Sequence, residues 1–102
     1  LREDELDAIL ALQIKALEER LQAQRLTLKI EAAARAFLLA SGTDLAFGAR
    51  PLQRTTRKYL ENPIAMALVQ GVLKPGMHIH VDADNVTQGL TFDWLDAGDR
   101  VN

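Results

Sequence analysis

The stretch KPGMHIHVDADNVTQGLTFDWL, residues 74–95, decides the fold class. Lys74-Pro75-Gly76 reads as a turn, because proline presets the first central position and glycine accepts the second. Met77, Ile79 and Val81 then alternate with His78, His80 and Asp82, the period of a half-buried strand. After a turn around Asp84-Asn85, Leu90, Phe92 and Trp94 alternate with Thr91 and Asp93 to give a second strand. Far upstream, Leu26-Thr27-Leu28-Lys29-Ile30 shows the same alternation and predicts a third.

The rest of the chain reads as helix. From Asp4 to Ala23, Leu6, Ile9, Leu10, Ile14, Leu17 and Leu21 recur at spacings of three and four, and the first turn is acidic, which suits the positive end of the helix dipole. Ala32 to Ala40 predicts a second helix, with Ser41-Gly42 as its C-terminal stop through a left-handed glycine. After a loop over Thr43 to Gly48, Pro51 suits the first position of a third helix running to about Glu61. Asn62-Pro63 predicts a break and restart, with Asn62 as N-cap of a fourth helix, Ile64 to Gln70, that stops at Gly71. About four helices on one face of a three-stranded sheet make an α+β domain. The tail from Ala97 to Asn102 is expected to fray.

Composition narrows the function classes. A chain of 102 residues fits one domain, and 48% hydrophobic residues with only five aromatics predict an aliphatic core. Twelve basic against fourteen acidic residues give a net charge of −2, so any polyanion site must be local. The absence of cysteine excludes disulfides and zinc–thiolate sites. No apolar run approaches the roughly 18 to 20 residues that span a bilayer, and the acidic start shows neither the basic n-region nor the apolar h-region of a signal peptide. The chain opens at Leu1 and not at Met, so it is read as a domain excised from a longer protein of the cell interior, most simply the cytoplasm.

Catalytic patterns are missing: the sequence has no phosphate-binding loop with Lys-Ser or Lys-Thr, no nucleophile elbow and no His-Glu-x-x-His. The chain by itself is therefore not expected to be an enzyme. His78 and His80 share a strand face and offer two imidazoles, with Asp82 or a distant residue needed as third ligand; zinc sites take three or four, so a solvated polar face is preferred and no metal is expected.

The residues FGARPLQRTTRK, 47–58, are more informative. Arg50, Arg54, Arg57 and Lys58 fall at i, i+4, i+7 and i+8 and share one side of the third helix, with Glu61 the single acid near its end. Arg50 precedes Pro51, which biases it out of the helical conformation and starts its guanidinium at the helix's positive end, a combination suited to phosphate. Gly48 and Ala49 leave the approach open. A basic helix face is also a common solvated or salt-bridged surface.

Phe47-Gly48-Ala49-Arg50-Pro51-Leu52, then Leu60-Glu61-Asn62-Pro63-Ile64-Ala65, then Gly71-Val72-Leu73-Lys74-Pro75-Gly76, resemble the C-terminal small subdomain of Clp-type AAA+ unfoldases, most closely the second ATPase module of ClpB-type disaggregases. The resemblance covers residues 1–102. It implies that Arg50 is the sensor-2 arginine, contacting the phosphates of ATP, with its Mg, bound by a preceding AAA+ large subdomain. It also implies a hexameric ring in which this lid subdomain touches neighbouring protomers, and protein substrates for the whole assembly. Arg54, Arg57, Lys58, Glu61 and Asn62 are then candidate interface residues. The loop departs from the family pattern Gly-Tyr-Asp-Pro-x-Phe/Tyr-Gly-Ala-Arg at Thr43 and Leu45. Two other readings are a phosphate- or nucleic-acid-binding module using the Arg50–Lys58 face, disfavoured by the acidic net charge and the lack of interleaved aromatics, and a purely structural interaction domain.

Overall fold

The computed structural model describes residues 3–42, 50–84 and 89–96. The expected loop over Thr43–Gly48, the turn residue Asn85 and the tail from Ala97 lie outside them. In chain order the elements are α1 (Glu3–Gln22), β1 (Thr27–Ile30), α2 (Ala32–Gly42), α3 (Arg50–Thr56), a π-helical turn (Arg57–Glu61), α4 (Asn62–Val69), β2 (His78–Asp84) and β3 (Gly89–Leu95). The α+β class and the three strands are as expected, with β2 and β3 each longer than the alternation alone suggested.

The sheet order is β1-β2-β3, parallel between β1 and β2 and antiparallel between β2 and β3. One face carries Leu28, Ile79, Val81 and Phe92 towards the helices, and Ile79 and Val81 are fully buried. α1 supplies Leu6, Leu10, Ile14, Leu17 and Leu21 to the same core, and α2 and the long helical run add Leu38, Leu52, Leu60 and Ile64. Among the described residues no aromatic is fully buried; Phe92 and Trp94 stack at the margin and Phe37 meets Tyr59 edge to face at 5.2 Å. The aliphatic core expected from composition is what the chain builds.

Two turns fix how the strands start. α1 ends with the Leu26 amide donating to the Leu21 carbonyl and the Arg25 amide to the Gln22 carbonyl, both at 2.9 Å, while Arg25 takes the left-handed conformation at φ 62. The buried Leu21 and Leu26 sit at the two ends of that motif. The Met77 amide donates to the Lys74 carbonyl across Pro75-Gly76, with Gly76 at φ 93, the backbone a type II turn needs at its third residue. The Gly76 amide in turn donates to the Arg25 carbonyl (2.8 Å), so the two turns brace each other and set β1 beside β2.

Two helix boundaries differ from expectation. Gly42 is not a left-handed stop: it is still helical, and the positive-φ glycines among the described residues are Gly71 and Gly76. Its role is clearance, since a Cβ there would lie 2.8 Å from the Leu52 Cα and 2.9 Å from its Cδ1. Asn62 is not a cap at a break either. Its φ and ψ of −64 and −45 are helical, and α3, the π turn and α4 follow one another without a gap, so the expected third and fourth helices form one continuous run. The reason is local: Pro63 has no N–H and its ring crowds the carbonyl one turn back, which breaks a regular α ladder. Here the Asn62 amide already donates to the Arg57 carbonyl, five residues back, so the ladder is widened where the proline enters. α4 then closes at Gln70, with Gly71 after it at φ 77 as the stop that the sequence predicts.

Gly42→Ala is expected to destabilise the protein by about 1–3 kcal/mol, the usual cost of forcing atoms into a filled interior. Urea denaturation measures it; an unchanged midpoint would show that α2 and α3 separate freely.

Candidate functional site

The basic side of the helical run does not stay a single patch. Arg50 is the first residue of α3, and the first turn of α3 contains no acid. The Arg50 side chain and the supporting Gly48 and Ala49 lie outside the described residues. The expectation that Arg50 precedes the helix differs from its place as the first residue of α3 by one position, within the ordinary ambiguity of helix ends.

Beyond Arg50, the charges fall in different surroundings. Arg54 is exposed on α3. Lys58 lies over the ring of its neighbour Tyr59, 5.1 Å from the centroid, a cation–π contact. Arg57, Glu61 and Asn62 instead line a cleft of about 330 Å³ between the C-terminal half of α1 and the start of α4, floored by apolar residues that include Leu21 and Ile64. Across this cleft Arg20 donates to Glu61 at 2.6 Å. Of the five candidate interface residues, the structure thus brings three together and leaves Arg54 and Lys58 apart. Arg20 was not singled out in the sequence, because a partner 41 positions away leaves no local signal.

The N-terminal part of α3 is held by its buried side. Leu52 fills the space above Gly42, the Thr56 hydroxyl donates to the Leu52 carbonyl (2.9 Å), and Thr55 reaches the Ser41 carbonyl at a long 3.5 Å. Among the described residues Thr55 and Thr56 are the buried polar side chains, and both are turned to backbone carbonyls. A second tie, from Arg35 on α2 to Asp7 on α1 (2.9 Å), joins the two helices at the surface.

On the other face of the sheet the two histidines part. His78 is hydrogen-bonded through Nδ1 to the Thr27 hydroxyl of β1. His80 faces Asp93 of β3, with Nδ1 3.2 Å from the carboxylate. Its Nε2 is 3.9 Å from Glu31. Glu31, His80 and Asp82 each present a donor atom within 4.8 Å of the others. The sequence pairs His80 with Asp82 by strand period, but Glu31 joins them only through the parallel register of β1 on β2.

Residues 1–81 match the family model described as the C-terminal, D2-small domain, of ClpB protein. Chaperone protein ClpB 2 of Synechocystis is 48% identical over 82 residues, covering 80% of this chain and 9% of that protein. The ClpB chaperones of Gloeobacter violaceus and Corynebacterium diphtheriae are 44% and 38% identical, over 83% and 88% of this chain and 10% and 11% of theirs. The chain therefore spans about a tenth of the length of the curated relatives it matches. Among the described residues no helix is long and apolar enough to cross a membrane.

Because Arg20 and Glu61 are 64% and 28% exposed, their ion pair is expected to contribute less than about 1 kcal/mol and to weaken with salt. A double-mutant cycle with Arg20→Ala and Glu61→Ala at two salt concentrations measures it. A salt-independent coupling of several kcal/mol would mean that the cleft holds the pair out of water.

Proposed function

The chain belongs to the family of C-terminal D2-small domains of ClpB, and on that premise we propose that it is the nucleotide-sensing and assembly subdomain of an ATP-dependent protein-unfolding and disaggregating chaperone of the cell interior. Arg50 is the residue that contacts the phosphates of ATP held by an adjacent large subdomain. The observation that carries this reading is the setting of Arg50: the first position of a helix with no acid in its first turn, two residues from the fully buried Leu52.

That setting fits a polyphosphate. The positive end of the helix dipole favours negative charge, and a guanidinium adds a planar fork of donors to it. A bound nucleotide supplies the charge whose presence or loss distinguishes the two states, together with the reactive phosphoryl group. The contribution of this chain is mechanical. A side chain that reaches another rigid body makes its contact only when the two close, so nucleotide state is converted into the angle between subdomains. The tight α2–α3 contact at Gly42 supports this, because displacement of the start of α3 must carry α2 and the sheet with it.

The cleft residues Arg57, Glu61 and Asn62, with Arg54 and Lys58, belong on this reading to the surface that meets the adjacent subdomain or a neighbouring protomer of the ring. A continuous nucleic-acid track is poorly supported, since Glu61 is paired with Arg20 and Lys58 is turned onto Tyr59.

The chain alone is expected to hydrolyse no ATP. In the ring ATPase that carries it, Arg50→Ala is expected to lower turnover, or its coupling to substrate unfolding, by roughly tenfold or more, since one pre-organised charge contact is commonly worth 10²-fold. Arg50→Lys should recover only part, keeping the charge without the fork. Steady-state ATPase and unfolding assays decide it; wild-type values for Arg50→Ala would remove the sensor role.

A further inference from the structure

We propose that Glu31, His80 and Asp82 form a binding site for one divalent first-row transition-metal ion, of which Zn²⁺ is the representative, on the sheet face opposite the helices. What the two-histidine pattern lacks in the sequence is a third ligand, and the fold provides it. In the parallel register Lys29 stands beside His80 and Ile30 beside Val81. Glu31 therefore falls next to Asp82 on the same face, and its amide, donating to the Val81 carbonyl at 2.9 Å, fixes it there.

The chemistry of His80 points the same way. Asp93 pairs with His80 across β2 and β3 and accepts from Nδ1 at 3.2 Å. A carboxylate in that position holds the proton on Nδ1 and leaves the lone pair on Nε2, the arrangement by which carboxylates orient metal-binding imidazoles. Nε2 is indeed the atom without a hydrogen-bond partner, although it is shielded from solvent, and it faces the Glu31 carboxylate at 3.9 Å. The three donor atoms lie within 4.8 Å of one another. Bonds of about 2.0–2.1 Å in a tetrahedral site put donors roughly 3.4 Å apart, so the flexible carboxylates need to swing in by about 1.4 Å at most.

One imidazole with two carboxylates selects a first-row ion over Mg²⁺, which prefers oxygen and water. Lys29, 3.9 Å from Glu31 and half exposed, is too weak a partner to compete. Since the Arg35 amide donates to the Glu31 carbonyl at the start of α2, a bound ion would pin the β1–α2 junction to the β2–β3 hairpin.

Titration calorimetry of ZnCl₂ into the protein at neutral pH tests the site, with thermal melts by circular dichroism in parallel. Saturable one-to-one binding and a raised Tm with Zn²⁺, but not with MgCl₂, are expected. His80→Gln should abolish saturable binding, Glu31→Gln and Asp82→Asn should each weaken it, and Asp93→Asn should weaken it by about 10–100-fold through the orientation of the ring. His78→Gln should leave it unchanged. Metal-free melts establish that each variant folds; if His80→Gln does not, the Glu31→Gln and Asp82→Asn variants carry the test. Absence of saturation in the wild-type protein, equal affinity in His80→Gln, or loss of binding in His78→Gln alone would overturn the proposal.

Discussion

The separation of α2 and α3 is set by a side chain that is not there. At Gly42 the Leu52 backbone comes so close that even a methyl group would collide with it, and Leu52 is fully buried in the space this leaves. Close-packed interiors transmit displacement instead of absorbing it. The start of α3 is therefore fixed to α2, α2 packs on β2, and β2 is the central strand. Arg50 lies two residues before Leu52, at the end of α3 that this close contact holds.

The π turn plays the complementary part further along the same run. By letting Pro63 continue the helix, it keeps α3 and α4 in one piece, and it places Glu61 opposite Arg20 of α1. Residues that the sequence lines up as one basic stripe are dealt to different surroundings: an aromatic ring for Lys58, and for Arg57 the α1–α4 cleft that it shares with Glu61 and Asn62. The exposed surface of this run is mixed in charge, which suits specific protein contact better than a uniform polyanion track.

Periodicity made most of the fold legible. The alternation of Met77–Val81 and Leu90–Trp94, and the spacing of Leu6 to Leu21, depend on nearest neighbours along one element, and the structure follows them. Features that depend on two distant segments were not legible. Gly42 looked like a helix stop because its true constraint, Leu52, lies across an interhelical contact. Asn62-Pro63 looked like a boundary because a π turn five residues long has no reliable local signature. Arg20 and Glu31 carry no motif at all: one is defined by a partner on α4's threshold and the other by strand register. Arg50 was picked out by its turn, its proline and a family motif, all of them local.

On the proposed function, the start of α3 responds to nucleotide through the Arg50 side chain. Hydrogen–deuterium exchange on the full-length protein that carries this chain, with ADP and with a slowly hydrolysed ATP analogue, reads the amides of Leu52 to Thr56 directly. Slower exchange there with the ATP analogue is expected, with loss of that difference in Arg50→Ala while the protection of the core strand β2 is retained. The same nucleotide-dependent difference with and without the Arg50 side chain, or none in the wild type, would contradict it.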